Sequence, residues 1–128
     1  FNLTDGTKLM AARFSDSGFS YKLQICNGTD ADGNAFITGG TRSSFLNTWK
    51  HIAISRFGST VYAFVDGQLI GTNSYNGIQN LDNSYLYIGG KDTSSYPYMG
   101  YIQDFRITKG YARYVQNFTP PTQADQLY

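Results

Sequence analysis

Residues 49–72 read WKHIAISRFGSTVYAFVDGQLIGT, and this stretch decides the fold. Three apolar runs, 49–56, 60–65 and 68–72, are rich in β-branched and aromatic residues. Phe57-Gly58-Ser59 and Asp66-Gly67 separate them. Asp-Gly between two such runs is the strongest short hairpin signal, because both central residues of the turn need positive φ. The stretch predicts a three-stranded antiparallel meander.

Working outward, no long segment carries a 3.6-residue apolar period; alternation and short apolar runs dominate. Residues 8–15 and 19–26 read as strands, and NGTDADGN at 27–34 is turn chemistry throughout. Residues 35–38 read as a short strand. Residues 84–88 (SYLYI) read as a strand ended by Gly89-Gly90, and a Ser- and Tyr-rich loop fills 91–97. Residues 99–108 (MGYIQDFRIT) also read as a strand; apolar residues at 102, 105 and 107 break its alternation and predict a bulge. KGYARY at 109–114 reads as one helical turn, and TPPTQ at 119–123 as an extended exit. Strands every 8–12 residues or so, with turn signals between them, indicate an antiparallel sandwich or barrel. The opening residues, Phe1 to Gly6, read as an interior stretch, so a longer parent polypeptide is expected.

Composition narrows the function classes. The chain has 128 residues, the length of one domain, with 41% apolar and only 15% charged residues. It is poor in the usual helix formers. All nine acidic residues are Asp, so no mechanism that needs a Glu acid/base pair fits this chain. Net charge is +1 and the basic residues are scattered, which argues against a nucleic-acid surface. No apolar run reaches membrane-spanning length. The single cysteine, Cys26, excludes an internal disulfide and a Cys-rich zinc site, so the fold does not depend on an oxidising compartment.

Three pieces carry a resemblance: NTWKHIAISRFGSTVYAFVDGQLIGT at 47–72, SYLYIGG at 84–90 and GYIQDFRITKGYARYVQNFTPP at 100–121. They resemble the laminin-G-like, concanavalin A-type lectin/glucanase domain found in phage virion fibre and capsid-associated proteins and on bacterial surfaces. The last piece is the most specific, and residues 1–46 fit more loosely. The resemblance implies an all-β jelly-roll sandwich of two antiparallel sheets over residues 1–121, with 122–128 as a tail. Domains of this family begin with further strands upstream of the position of Phe1. Unpaired sheet edges are therefore expected, to be covered by upstream polypeptide or by a neighbouring chain. Glycanases of the same fold use a Glu-x-Asp-x-Glu strand, which a chain without Glu lacks, so no enzymatic activity is expected.

The expected role is a non-enzymatic virion module, in a fibre, decoration or tail-fibre protein, that binds a carbohydrate. The alternatives are an architectural subunit contact without ligand and a bacterial cell-surface adhesion domain. Partners are then virion or surface-assembly subunits, with a homo-oligomer formed through a fibre, and no nucleic acid or membrane span. Candidate glycan contacts are the loop tyrosines Tyr75, Tyr96 and Tyr98, with Tyr111 beside them. Arg42, Asn73, Asn76 and Asp92 are candidates for the polar contacts. Asp30 and Asp32 resemble the start of a calcium loop, although the bidentate Glu of an EF-hand is missing and a plain polar turn is favoured.

Trp49, the only tryptophan, has two readings: a sugar-stacking platform or a core anchor; the resemblance favours the core. His51 reads as a packed or hydrogen-bonded strand residue and Cys26 as a small buried apolar one. Asp66 is a turn residue, and Asp104 is expected to make a structural hydrogen bond in a strand. Gly39-Gly40 and Gly89-Gly90 lack the strand–loop–helix setting of a phosphate loop. Sequons at Asn2, Asn27 and Asn117 carry meaning only in a protein secreted by a eukaryote.

Overall fold

The computed structural model describes residues 2–4, 9–16, 21–28, 35–39, 42–74, 85–89 and 98–122, with side chains over 43–74, 88–89 and 98–122. Among these residues eight strands and one short helix follow in order: β1 (Asn2–Thr4), β2 (Leu9–Asp16), β3 (Tyr21–Gly28), β4 (Ala35–Gly39), α1 (Arg42–Phe45), β5 (Ile52–Phe57), β6 (Thr60–Val65), β7 (Gln68–Ser74) and β8 (Tyr85–Tyr87). They form a five-stranded sheet of order β4-β3-β2-β1-β8 and a three-stranded sheet of order β5-β6-β7. Every pairing is antiparallel. The opening strand β1 is interior, paired with β2 on one side and β8 on the other. The sheets approach one another at their edges, β4 beside β7.

The meander predicted from residues 49–72 is present, and its turns form for the expected reason. Val65 pairs with Gln68 across Asp66 and Gly67, whose φ values are 50° and 78°. Two successive positive φ angles make a type I′ turn, whose twist matches that of the flanking strands. Phe57 pairs with Thr60 across Gly58, at φ 57°, and Ser59. Gly at the first central position is the pattern of type II′.

The apolar run of β6 is explained by burial on both faces. Val61 and Ala63 point one way, 3% and 0% exposed, and pack against Phe45 of α1, Ile52 and Ile54 of β5, Val65 and Ile70. Tyr62 and Phe64 point the other way, and Phe64 is 0% exposed. Full burial of one such side chain contributes about 1.5–3 kcal/mol. Ser55 of β5, opposite Tyr62, is also buried, and its hydroxyl has no hydrogen-bond partner among the described residues.

Three expectations are corrected. Residues 98–122 contain no strand or helix, so 99–108 is not a bulged strand and 109–114 is not a helical turn. Asp104 at φ 53° and Gly110 at φ 82° depart from both extended and right-handed helical backbone. Ile102, Phe105 and Ile107 are 50%, 42% and 62% exposed, so no buried face orders this segment as a strand. The bulges lie elsewhere, between Ile25 and Cys26 in the β3–β4 pairing and between Ala63 and Phe64 in the β6–β7 pairing. The third correction concerns Trp49. It precedes β5 and is 65% exposed, so it is no core anchor; Val61, Ala63 and Phe64 form the core of this sheet.

Candidate ligand surface

The Asp66-Gly67 turn organises its surroundings. The Asp66 amide donates to the His51 carbonyl at 2.8 Å. The His51 amide donates to Asp66 Oδ1 at 3.0 Å. Lys50 Nζ reaches Asp66 Oδ2 at 2.6 Å. Partial burial pushes the Asp66 carboxyl up. The bonds from Lys50 and the His51 amide, with the positive charge of Lys50, outweigh that and hold it below the usual Asp value. One side chain thus shapes the turn and ties the start of β5 to it.

The carboxy-terminal segment docks on the same turn. The Phe118 amide donates to the Gly67 carbonyl at 2.9 Å. Asn117 Oδ1 accepts from the Leu69 amide at 2.9 Å, and its Nδ2 donates to Gln68 Oε1 at 3.2 Å. The Tyr114 and Phe118 rings stack, with centroids 3.5 Å apart and planes 6° from parallel. Both stand edge-on to Phe64, at 6.3 and 5.3 Å, and to His51, at 6.3 and 5.5 Å. The Asn-Phe-Thr-Pro-Pro motif therefore works as a clasp. Asn117 satisfies backbone and side-chain groups of β7, and Phe118 covers Phe64. The expectation of a packed strand residue at His51 holds for the packing alone: the ring lies against Tyr114 and Phe118, its buried Nδ1 has no hydrogen-bond partner among the described residues, and the residue lies just before β5.

Beside the clasp lies an open aromatic pair. Trp49 and Tyr101, the latter 86% exposed, have ring centroids 6.5 Å apart and planes tilted by 41°. Both are held by their neighbours in the chain. Lys50 and His51, which follow Trp49, are tied to Asp66. Ahead of it, Asn47 takes φ 56° and the Thr48 hydroxyl donates to the Leu46 carbonyl at 3.0 Å. On the other side the Tyr98 amide donates to the Gly89 carbonyl at 2.7 Å. The Tyr98 ring then lies over Gly100, where a Cβ would stand 2.8 Å from it. The pair offers an apolar plate, an indole N–H donor and a phenol hydroxyl.

The candidates named from sequence distribute as follows. Tyr75, Asn76, Asp92, Tyr96, Asp30 and Asp32 lie outside the described residues. Arg42 opens α1, where only its backbone is described. Asn73 is exposed near the end of β7, opposite Val61. Tyr98 is 45% and Tyr111 70% exposed. Asn73 lies in β7 and Tyr98 in the segment 98–122, which has no strand or helix. Tyr101 is not among the candidates that the sequence offers, because its segment has the spacing of a strand; the signal for it is Gly100, which stands between Tyr98 and Tyr101, three residues apart. Among the described residues no group of three or more His, Cys, Asp or Glu side chains is placed to hold a metal ion. No described helix is long and apolar enough to cross a membrane.

Comparison with known proteins places the chain in a family. No curated protein matches the chain. An S-layer domain-containing protein from Clostridium thermocellum ATCC 27405, solved over its residues 221–444, aligns with 23% identity and a TM-score of 0.45. The alignment covers 90% of this chain and 54% of that one, so the chain spans about half the length of that structure. A laminin G family model matches residues 3–113, which take in β2 to β8, all of β1 but Asn2, and the segment bearing Tyr101. The chain belongs to the concanavalin A-like lectin/glucanases superfamily.

Proposed function

We propose that this chain is a non-enzymatic carbohydrate-binding module, built as a two-sheet jelly roll and displayed on the outside of a virion. Display on a bacterial cell surface is the alternative setting. The observation that carries the reading is the superfamily match over residues 3–113 in a chain that contains no glutamate. Glycoside hydrolysis in most families needs a pair of carboxylates flanking the scissile bond. On this reading the domain recognises a glycan without cleaving it.

A glycan array probed with the intact domain tests the recognition, and a reducing-sugar assay on the glycans it captures tests the absence of cleavage. Binding without sugar release is expected. An array on which the domain binds nothing removes the carbohydrate reading. Sugar release that is lost on replacing one Asp restores the enzymatic one.

A second reading has its own observation. Met99, Ile102, Phe105 and Ile107 are 94%, 50%, 42% and 62% exposed along one segment. Exposed apolar side chains in series mark surfaces that other proteins cover. On this reading the domain is an architectural subunit contact. A monodisperse monomer across a wide concentration range, with no retention by its assembly partners, would count against it.

A further inference from the structure

We infer that Trp49 and Tyr101 form the plate on which a sugar ring of the glycan stacks. This rests on the carbohydrate reading above and assigns it a site outside the loops named from sequence. Single exposed apolar side chains are ordinary on any protein, and an exposed paired aromatic plate is the informative observation. Trp49 is 65% and Tyr101 86% exposed, yet their rings stay within 6.5 Å of one another. Their 41° tilt departs from a parallel stack, and both side chains stay largely open to solvent.

The polar setting suits a neutral sugar. A pyranose has an apolar face of C–H bonds and a rim of hydroxyls, so it needs a flat apolar surface bordered by hydrogen-bonding groups. The indole N–H and the phenol hydroxyl belong to the plate itself. Asn47, Thr48 and Gln103 adjoin it along the chain and are exposed. Charge is muted beside Trp49, because the Lys50 ammonium is engaged by Asp66 at 2.6 Å. A phosphate or carboxylate ligand would want that ammonium free.

The plate is also held in place from both sides. The Asp66 ties fix the residues after Trp49, and the Tyr98–Gly89 bond lies three residues before Tyr101. Aromatic side chains lose little rotamer entropy on binding, so a plate whose backbone is already fixed reaches useful affinity with small area.

The test uses a feature of the sequence: Trp49 is the only tryptophan, so its emission reports on this site alone. The glycans captured on the array are titrated into the intact domain while that emission is followed. A saturable change is expected. Trp49→Ala and Tyr101→Ala should each weaken binding by about tenfold or more, and Trp49→Phe should retain part of it. Phe57→Ala is the control: Phe57 is 67% exposed, as open as Trp49, but lies at the opposite end of β5 and should leave affinity unchanged. Tyr101→Ala removes no core packing, so it remains informative if Trp49→Ala fails to fold, with unfolding midpoints checked for every variant.

If the wild type binds and both plate variants bind equally well, this site is overturned and the carbohydrate reading stands. If the wild type binds no glycan, both fall. If Trp49 in the ligand-free domain is shielded from acrylamide, a second copy or another part of the polypeptide covers the plate, and the site is overturned.

Discussion

Two glycines with the same kind of backbone make a direct comparison at the scale of single residues. Gly58 and Gly67 both have positive φ, at 57° and 78°. A Cβ on Gly58 meets nothing within 4 Å, whereas on Gly67 it would lie 1.9 Å from the Phe118 carbonyl oxygen. Gly58→Ala should therefore cost about 1–2 kcal/mol, the left-handed backbone penalty alone. Gly67→Ala should cost clearly more and free the clasp, both read by denaturant unfolding.

Asp66 gives a pH test. Its pKa is depressed in the folded state, so its contribution is present above the unfolded value of about 3.9. That contribution is lost as pH falls through the lower folded value. Asp66→Asn keeps an acceptor for the His51 amide and suits a type I′ turn. It should cost under about 1 kcal/mol at pH 7, since the ion pair is partly solvated, and flatten the acid limb of the stability curve. At Ser55 the buried hydroxyl has no partner among the described residues, so Ser55→Ala should leave stability unchanged or raise it by about 1 kcal/mol.

Among the elements, the meander was legible because its signals are local. Asp-Gly and the β6 run specify turn and strand without reference to anything distant. The segment 98–122 was not legible, for the converse reason. Its apolar spacing imitates a strand, but its form is set by Asp104 and Gly110 at positive φ and by docking at the far end, on a turn about fifty residues earlier. The clasp predicts a graded set of losses. Asn117→Ala removes two hydrogen bonds at an exposed site and should cost about 1 kcal/mol. Phe118→Ala should cost about 2–3 kcal/mol, less than a fully buried ring, because Phe118 is only half-buried. Combined with Gly67→Ala its effect should be less than additive, since both act on one contact.

For the whole molecule, the fold family was readable from three sequence pieces, and the family match over residues 3–113 agrees. The ligand surface was less readable. Trp49 opens what looks like a β5 sequence, and only the start of that strand at Ile52 leaves the indole in solvent. Calcium belongs to this scale too. The sequence around Asp30 and Asp32 lacks the closing Glu of a calcium loop, so EDTA should leave the unfolding midpoint unchanged. A midpoint lowered by EDTA and restored by calcium would assign them the ion.

The clasp also has a consequence in time. Hairpins close within about 1–10 μs, and the β5–β6–β7 meander is made of nothing else. The bond from the Leu69 amide to Asn117 spans 48 residues, so it waits for the loop between them to be made and closed. On a ribosome, at about 5–20 residues per second, Phe64 waits several seconds after its own strand is complete for Phe118 to be made. The sheet is built before its lid is synthesised, and during that interval the nascent chain offers an aromatic face to any neighbour within reach.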